Sequence, residues 1–358
     1  MSYGGVSSLQ EFRRNVAKRE LLRSVLLVVL AVCLAAAMVG ATLVGPSRVH
    51  VRQLVRLLQS PVTGTDIPAQ DRRIIVQVRI PRVLMAVCVG CALAASGTAM
   101  QAMFRNPLAS PQVLGVSSGA AFGAALAILL GLRIVSQLSA TVFSAFCFAL
   151  VPAGVVYALA GHPRMTSRAS LILLGVALSA FFSGLVSFVL YLADERLQSV
   201  VFWLMGGLWH SDWTRLGFAA PFVATGVILL FLFTDEMDIL AFGDRSARDL
   251  GVPVERVKKI LLVGAALATA AAVSVAGVIG FVGLVVPHIG RILIGANHRY
   301  LLPFSCLAGG LLLLGVDVLC RSLIQPLEIP AGIVTALFGA PFFAALLLTK
   351  GARTGWAQ

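Results

Sequence analysis

Three groups of residues in this chain have the types and spacing to do chemistry or to be recognised. The first is Gly277 to Arg291, GVIGFVGLVVPHIGR. Glycines, Pro287, His288 and Arg291 interrupt an otherwise apolar stretch. In hydrocarbon, a broken backbone or an ionisable side chain survives only where protein buries it or water lines it. The segment is therefore read as a functional interior, the alternative being a proline-kinked packing helix with polar residues at headgroup level. The second group is Arg79-Ile80-Pro81-Arg82. Two guanidiniums held at a helix start suit the carboxylates of a docking partner or, alternatively, lipid headgroups. The third is Asp235 to Lys259, DEMDILAFGDRSARDLGVPVERVKK. Ile239, Leu240, Phe242, Ala247 and Leu250 predict two short helices, broken at Gly243 and ended by Gly251. A charged helical hairpin of that length is a natural protein-docking surface.

No enzymatic constellation accompanies them. No lysine precedes Ser or Thr, so the chain lacks a phosphate loop, and nucleotide hydrolysis must come from another chain. Cys88 and Cys91 have zinc-like spacing but no second ligand pair. They read as small packing residues, and no metal site is expected. Asp317 and Arg321, four apart, are expected to satisfy each other in part.

The elements that must position these groups follow from composition. Of 358 residues 59% are hydrophobic and 12% are charged, against about 25% charged in soluble domains. The 34 glycines suit close helix approach in a bilayer. The net charge of +13 has no basic run interleaved with aromatics, which argues against nucleic acid. Apolar stretches of about 20 residues fall at 21–44, 79–104, 112–132, 136–160, 168–192, 213–233, 258–278, 279–296, 300–323 and 329–349. The chain is thus read as an all-α polytopic membrane protein with ten spans. The first run is too long for a signal-peptide core, so a span is preferred to a cleaved leader.

Arg13, Arg14, Lys18, Arg19 and Arg23 precede the first span and place the amino terminus in the cytoplasm. Residues 1–20 are then a cytoplasmic segment, 21–350 the membrane domain with its hairpin at about 235–258, and 351–358 a cytoplasmic tail. Arg72 and Arg73 join Arg79 and Arg82 on the outer side, against the positive-inside rule. Arg48, Arg52 and Arg56 recur every four residues, as on an amphipathic helix lying on the membrane surface.

Together the motifs resemble the iron-chelate and cobalamin permeases of bacterial ABC importers, the FecCD-type family. The matching blocks run in order: RIPR at 79–82, ASGTAMQAMFRNPLASPQVLGVSSGA at 95–120, FWLMGG at 202–207, LAFGDRSARDLG at 240–251, GVIGFVGLVVPH at 277–288 and EIPAGIVTALFGAPFF at 328–343. The resemblance implies ten transmembrane helices per subunit and a dimer, expected to be a homodimer. Two ABC ATPase subunits, which carry the ATP and magnesium, would bind beneath. A periplasmic or lipid-anchored binding protein would dock outside. It places Gly243, Asp244, Ala247, Arg248, Leu250 and Gly251 in coupling helices on the ATPase. Arg79, Arg82 and Arg321 match arginines that pair with acids of the binding protein. Asn106-Pro107-Leu108 and Met165-Thr166-Ser167 match two cytoplasmic gate turns, and Gln198–Leu208 a gating helix at the outer mouth.

Two function classes are in view: an importer permease for a ferric siderophore, haem or cobalamin, and a self-sufficient secondary carrier. A carrier would couple through acids at the bilayer midplane. The spans hold almost none except Asp317, near an end, which favours the permease. Family frequency alone points to a ferric siderophore.

Overall fold

A computed structural model describes residues 4–45, 68–132, 139–159 and 168–351. The amphipathic Arg48–Arg56 stretch and the Met165–Ser167 turn lie outside the described residues. All regular structure among the described residues is helical.

The first helix, α1 (Gly4–Leu43), begins well before the apolar run that crosses the membrane. Helix α2 is continuous over Ala69–Phe104 and contains a π-helical stretch at Ile74–Arg79. After a 3₁₀ turn at Pro111–Leu114 come α3 (Val116–Leu130), α4 (Ala140–Leu159) and α5 (Arg168–Leu192). The short α6 (Leu197–Met205) precedes α7 (Trp213–Phe231). The hairpin helices are α8 (Thr234–Ala241) and α9 (Asp244–Asp249). Then follow α10 (Val254–Ala276), α11 (Val282–Leu293), α12 (His298–Cys320) and α13 (Ala331–Gly351).

Each of the ten expected spans holds one apolar helix, but not all have spanning length. Among the described residues seven helices are long and apolar enough to cross a membrane. Val116–Leu130, Val282–Leu293 and Ala331–Ala345 are shorter apolar pieces. The expected span 112–132 shortens because Pro111 starts a 3₁₀ turn and Gly115 adopts φ +82°. The expected span 279–296 shortens because the chain between α10 and α11 is not helical.

Helices α2 and α10 form the centre. Alanine-rich faces let both be buried along most of their length. Helix α2 packs against α12, α10, α11 and α7, while α3 lies against α4 and α5. At the α2–α12 crossing a Cβ on Gly90 would run into the backbone carbonyl of Gly309. Only glycine lets two backbones meet this closely, which is the small-residue packing a bilayer favours. Helices α1 and α5 instead expose Leu21, Leu22, Leu173 and Phe181, as expected of a lipid-facing rim.

Candidate functional site: a mouth and a docking hairpin at opposite helix ends

At one end of the bundle the expected docking arginines are engaged within the chain. Arg79, Arg82 and Arg321 are only 4%, 9% and 3% exposed. Arg82 donates through Nε to Asp317 Oδ1 at 2.9 Å and forks onto both carboxylate oxygens of Glu328 at 3.0 and 2.8 Å. Asp317 also lies 3.3 Å from Arg321 Nε, the partial pairing expected from their spacing. Arg321 donates onward to the Ala41 and Val44 carbonyls, and Arg79 to the Thr42 carbonyl. The Ala41 and Thr42 carbonyls belong to the last turn of α1 and Val44 directly follows it, where a helix leaves acceptors unsatisfied and favours cations.

The expectation that Arg79 and Arg82 present their guanidiniums outward is corrected: they turn in, and so does Arg321. A buried guanidinium is tolerated only when paired and hydrogen-bonded. The chain supplies its own acids, and the Arg79–Arg82 stretch is interior to α2 rather than at its start. The π-helical stretch also releases a carbonyl, that of Val76, which accepts from Trp213 Nε1 at 2.8 Å.

Beside this cluster opens a cavity of about 700 Å³. Phe202 and Trp203 of α6, Trp209, Arg215 of α7 and Glu328 contribute to its wall. Asp212 caps α7 by accepting from the Arg215 N–H at 2.7 Å and sits 3.7 Å from its guanidinium. Burial, then the charge of Arg215, lowers the pKa of His210 on the same wall, while Asp212 opposes them. Arg196 fixes the rim by donating to the last carbonyls of α3, Ile128 and Leu129, both at 2.8 Å.

The hairpin lies at the other end. Gly243 breaks it with φ +114°, which an L side chain rarely adopts, and Gly251 ends it with φ +85°. Ala247 is fully buried against the body. Asp244 accepts from Lys258 at 2.5 Å and Arg248 pairs with Glu255 at 2.9 Å, so α9 is tied back to α10. Phe242 and Leu250 are 76% and 67% exposed at this charged end. Asp238 accepts from the backbone N–H of His298 at 3.0 Å and faces its Nδ1 at 2.5 Å.

The Asn106–Leu108 turn follows directly from Arg105, whose φ is +47°. The Leu108 N–H donates to Asn106 Oδ1 at 2.9 Å, an Asx-type turn. Leu108 itself is exposed.

The 277–291 segment is broken at its start, between α10 and α11, and partly to fully buried. Gly277 and Phe281 both have positive φ, +68° and +65°. Gln112 donates to the freed Ile279 carbonyl at 3.0 Å, and Arg291 donates to Gln101 Oε1. Glutamines from neighbouring segments thus satisfy what the break exposes.

Glu328, Asp238 and His298 carry these arrangements, and sequence reasoning did not single them out. Glu328 had a signal, as an acid at the edge of an apolar span. The Asp238–His298 pair had none, because sixty positions separate the partners in the chain.

A large mouth at one end, a polar hairpin at the other and membrane-crossing helices between them define a transport permease. The FecCD transport family model matches residues 25–349, and the chain belongs to that family. It is 42% identical over 287 residues to the cobalamin import system permease protein of Halobacterium salinarum, covering 80% of this chain and 76% of that one. It is likewise 42% identical over 278 residues to the hemin transport system permease protein of Yersinia pestis, covering 76% and 82% respectively. A solved structure assigned as a metal-chelate type ABC transporter in an inward-facing conformation superposes with TM-score 0.80. It shares 35% identity, over 90% of this chain and 99% of that one. The chain is an ABC importer permease, multi-pass and membrane-embedded.

Proposed function

We propose that this chain moves a ferric siderophore from a substrate-binding protein across the cytoplasmic membrane, driven by ATP that a separate ABC ATPase hydrolyses. The cavity supports this reading most directly. Its volume of about 700 Å³ and its Phe202–Trp203–Trp209 wall suit the organic shell of a bulky chelate. Haem and cobalamin have similar bulk, and relatives named for them are equally identical to this chain. The siderophore rests on family frequency.

In this reading the hairpin end is cytoplasmic, both termini lie there, and exposed Phe242 and Leu250 seat in the ATPase. The binding protein docks at the opposite end. Arg72 and Arg73 are exposed there for first contact. Docking through Arg79, Arg82 or Arg321 requires the partner's carboxylates to replace Glu328, Asp317 or the α1 carbonyls. A second copy of the chain completes the path, and the Asn106–Leu108 and Met165–Ser167 turns close its cytoplasmic end.

The test is uptake in proteoliposomes holding the chain, its ATPase and its binding protein. ATP-dependent uptake of a ferric siderophore, but not of haem or cyanocobalamin, is expected. Preferred uptake of haem or cyanocobalamin overturns the substrate. Uptake driven by an ion gradient without the ATPase overturns the mechanism.

A further inference from the structure

We propose that His298 and Asp238 are a positioning pair that passes movement of the α8–α9 hairpin into α12, and through α12 to the mouth. The inference rests on the ATP-driven reading above.

The contacts run from one end of the bundle to the other. Asp238 belongs to the hairpin, and His298 is the first residue of α12. The carboxylate takes both the backbone N–H and the ring Nδ1 of His298, at 3.0 and 2.5 Å. Asn297 caps α12 by accepting from the Arg299 N–H, and Asp238 satisfies the adjacent free N–H while gripping the helix's first side chain. The His298 ring is buried, and its Nε2 has no hydrogen-bond partner among the described residues. The ring therefore spends its hydrogen bonding on Asp238.

From there α12 runs 23 residues, about 34 Å at 1.5 Å per residue. At its far end Asp317 holds Arg82, which forks onto Glu328 in the cavity wall. In between, the Gly90–Gly309 backbone contact locks α12 to α2. A displacement of Asp238 therefore has a stiff, close-packed route to the carboxylate beside the mouth. The salt bridges of α9, from Asp244 to Lys258 and from Arg248 to Glu255, lead into α10 instead.

The test compares His298→Leu, His298→Asn and His298→Gln in the full complex, reading both ATP hydrolysis and uptake in proteoliposomes. Asparagine keeps a donor near the Nδ1 position, whereas glutamine reaches instead toward Nε2. Leu and Gln are expected to lower uptake per ATP about tenfold, the scale of one hydrogen bond to a charged group. Hydrolysis should stay within about twofold of wild type, and Asn should restore most of the uptake. The pair is overturned if all three variants keep wild-type uptake per ATP. It is equally overturned if uptake and hydrolysis fall in proportion, which marks a structural role only, or if Asn fails as badly as Leu. A wild-type complex that takes up substrate without hydrolysing ATP overturns the functional reading itself, and the pair with it.

Discussion

At the residue scale the cluster around Arg82 decides what a mutation there would report. Arg82 has three oxygen acceptors on two acids. Removing one partner of a buried ion pair strands the other, at a cost of about 3 kcal/mol or more. Arg82→Ala should therefore lower stability by about that amount in thermal unfolding of the purified chain. Glu328→Gln should cost less, because its amide oxygen still accepts. A loss no larger than that of a surface substitution for Arg82→Ala would contradict the network. Reversing Arg82 to Glu would thus read the chain's own stability before any docking. His210 offers a pH handle. Its folded-state pKa lies below the ordinary 6.5. The unfolded chain then takes the proton first as pH falls, so stability drops on acidification through that range. His210→Asn should reduce the difference in melting temperature between about pH 7.5 and 5.5. An unchanged difference would remove His210 as the cause.

At the element scale the two exposed apolar residues of the hairpin matter most. Phe242 and Leu250 end α8 and α9, whose Asp238 is engaged by α12 and whose Asp244 and Arg248 pair with α10. Replacing both with serine should leave the fold intact, since neither is buried. It should weaken copurification of the ATPase by at least about tenfold, given the worth of one buried apolar side chain. Full recovery of the ATPase with the double variant would rule out this docking face. Helix contact makes a sharper structural prediction. Gly90→Ala drives a methyl into the Gly309 carbonyl and should sharply reduce the yield of folded protein, read by size-exclusion chromatography. Gly217→Ala, with nothing within 4 Å of the new Cβ, should not.

At the scale of the whole molecule the mouth and the hairpin lie at opposite ends of α12, α2 and α10. A path on the axis of a symmetric dimer would be closed at the hairpin end by the exposed Leu108 of each copy. Leu108→Cys should crosslink between copies in the resting complex and block uptake, and ATP should lower the crosslinking. A transport-competent complex that never crosslinks there would remove the axial gate.

Much of this was legible in the residues themselves. The ten apolar segments, the hairpin broken at Gly243 and the broken interior at 277–281 all follow from hydropathy and from glycine and proline. These are local properties, written in neighbouring residues. The shortening of 112–132 was half legible, since Pro111 and Gly115 stand at its start. The fate of the arginines was not legible. Arg82 meets Glu328 across 246 positions and Arg321 meets the Ala41 carbonyl across 280. The sequence shows that the charges exist, but it puts Arg79 and Arg82 at a helix start that the structure moves back to Ala69. Whether they face solvent or each other depends on which helix ends the packing brings together. Burial then forces the pairing, because an unpaired guanidinium costs too much there. For the same reason Asp238 and His298 acquire a role only when the hairpin folds back onto the start of α12.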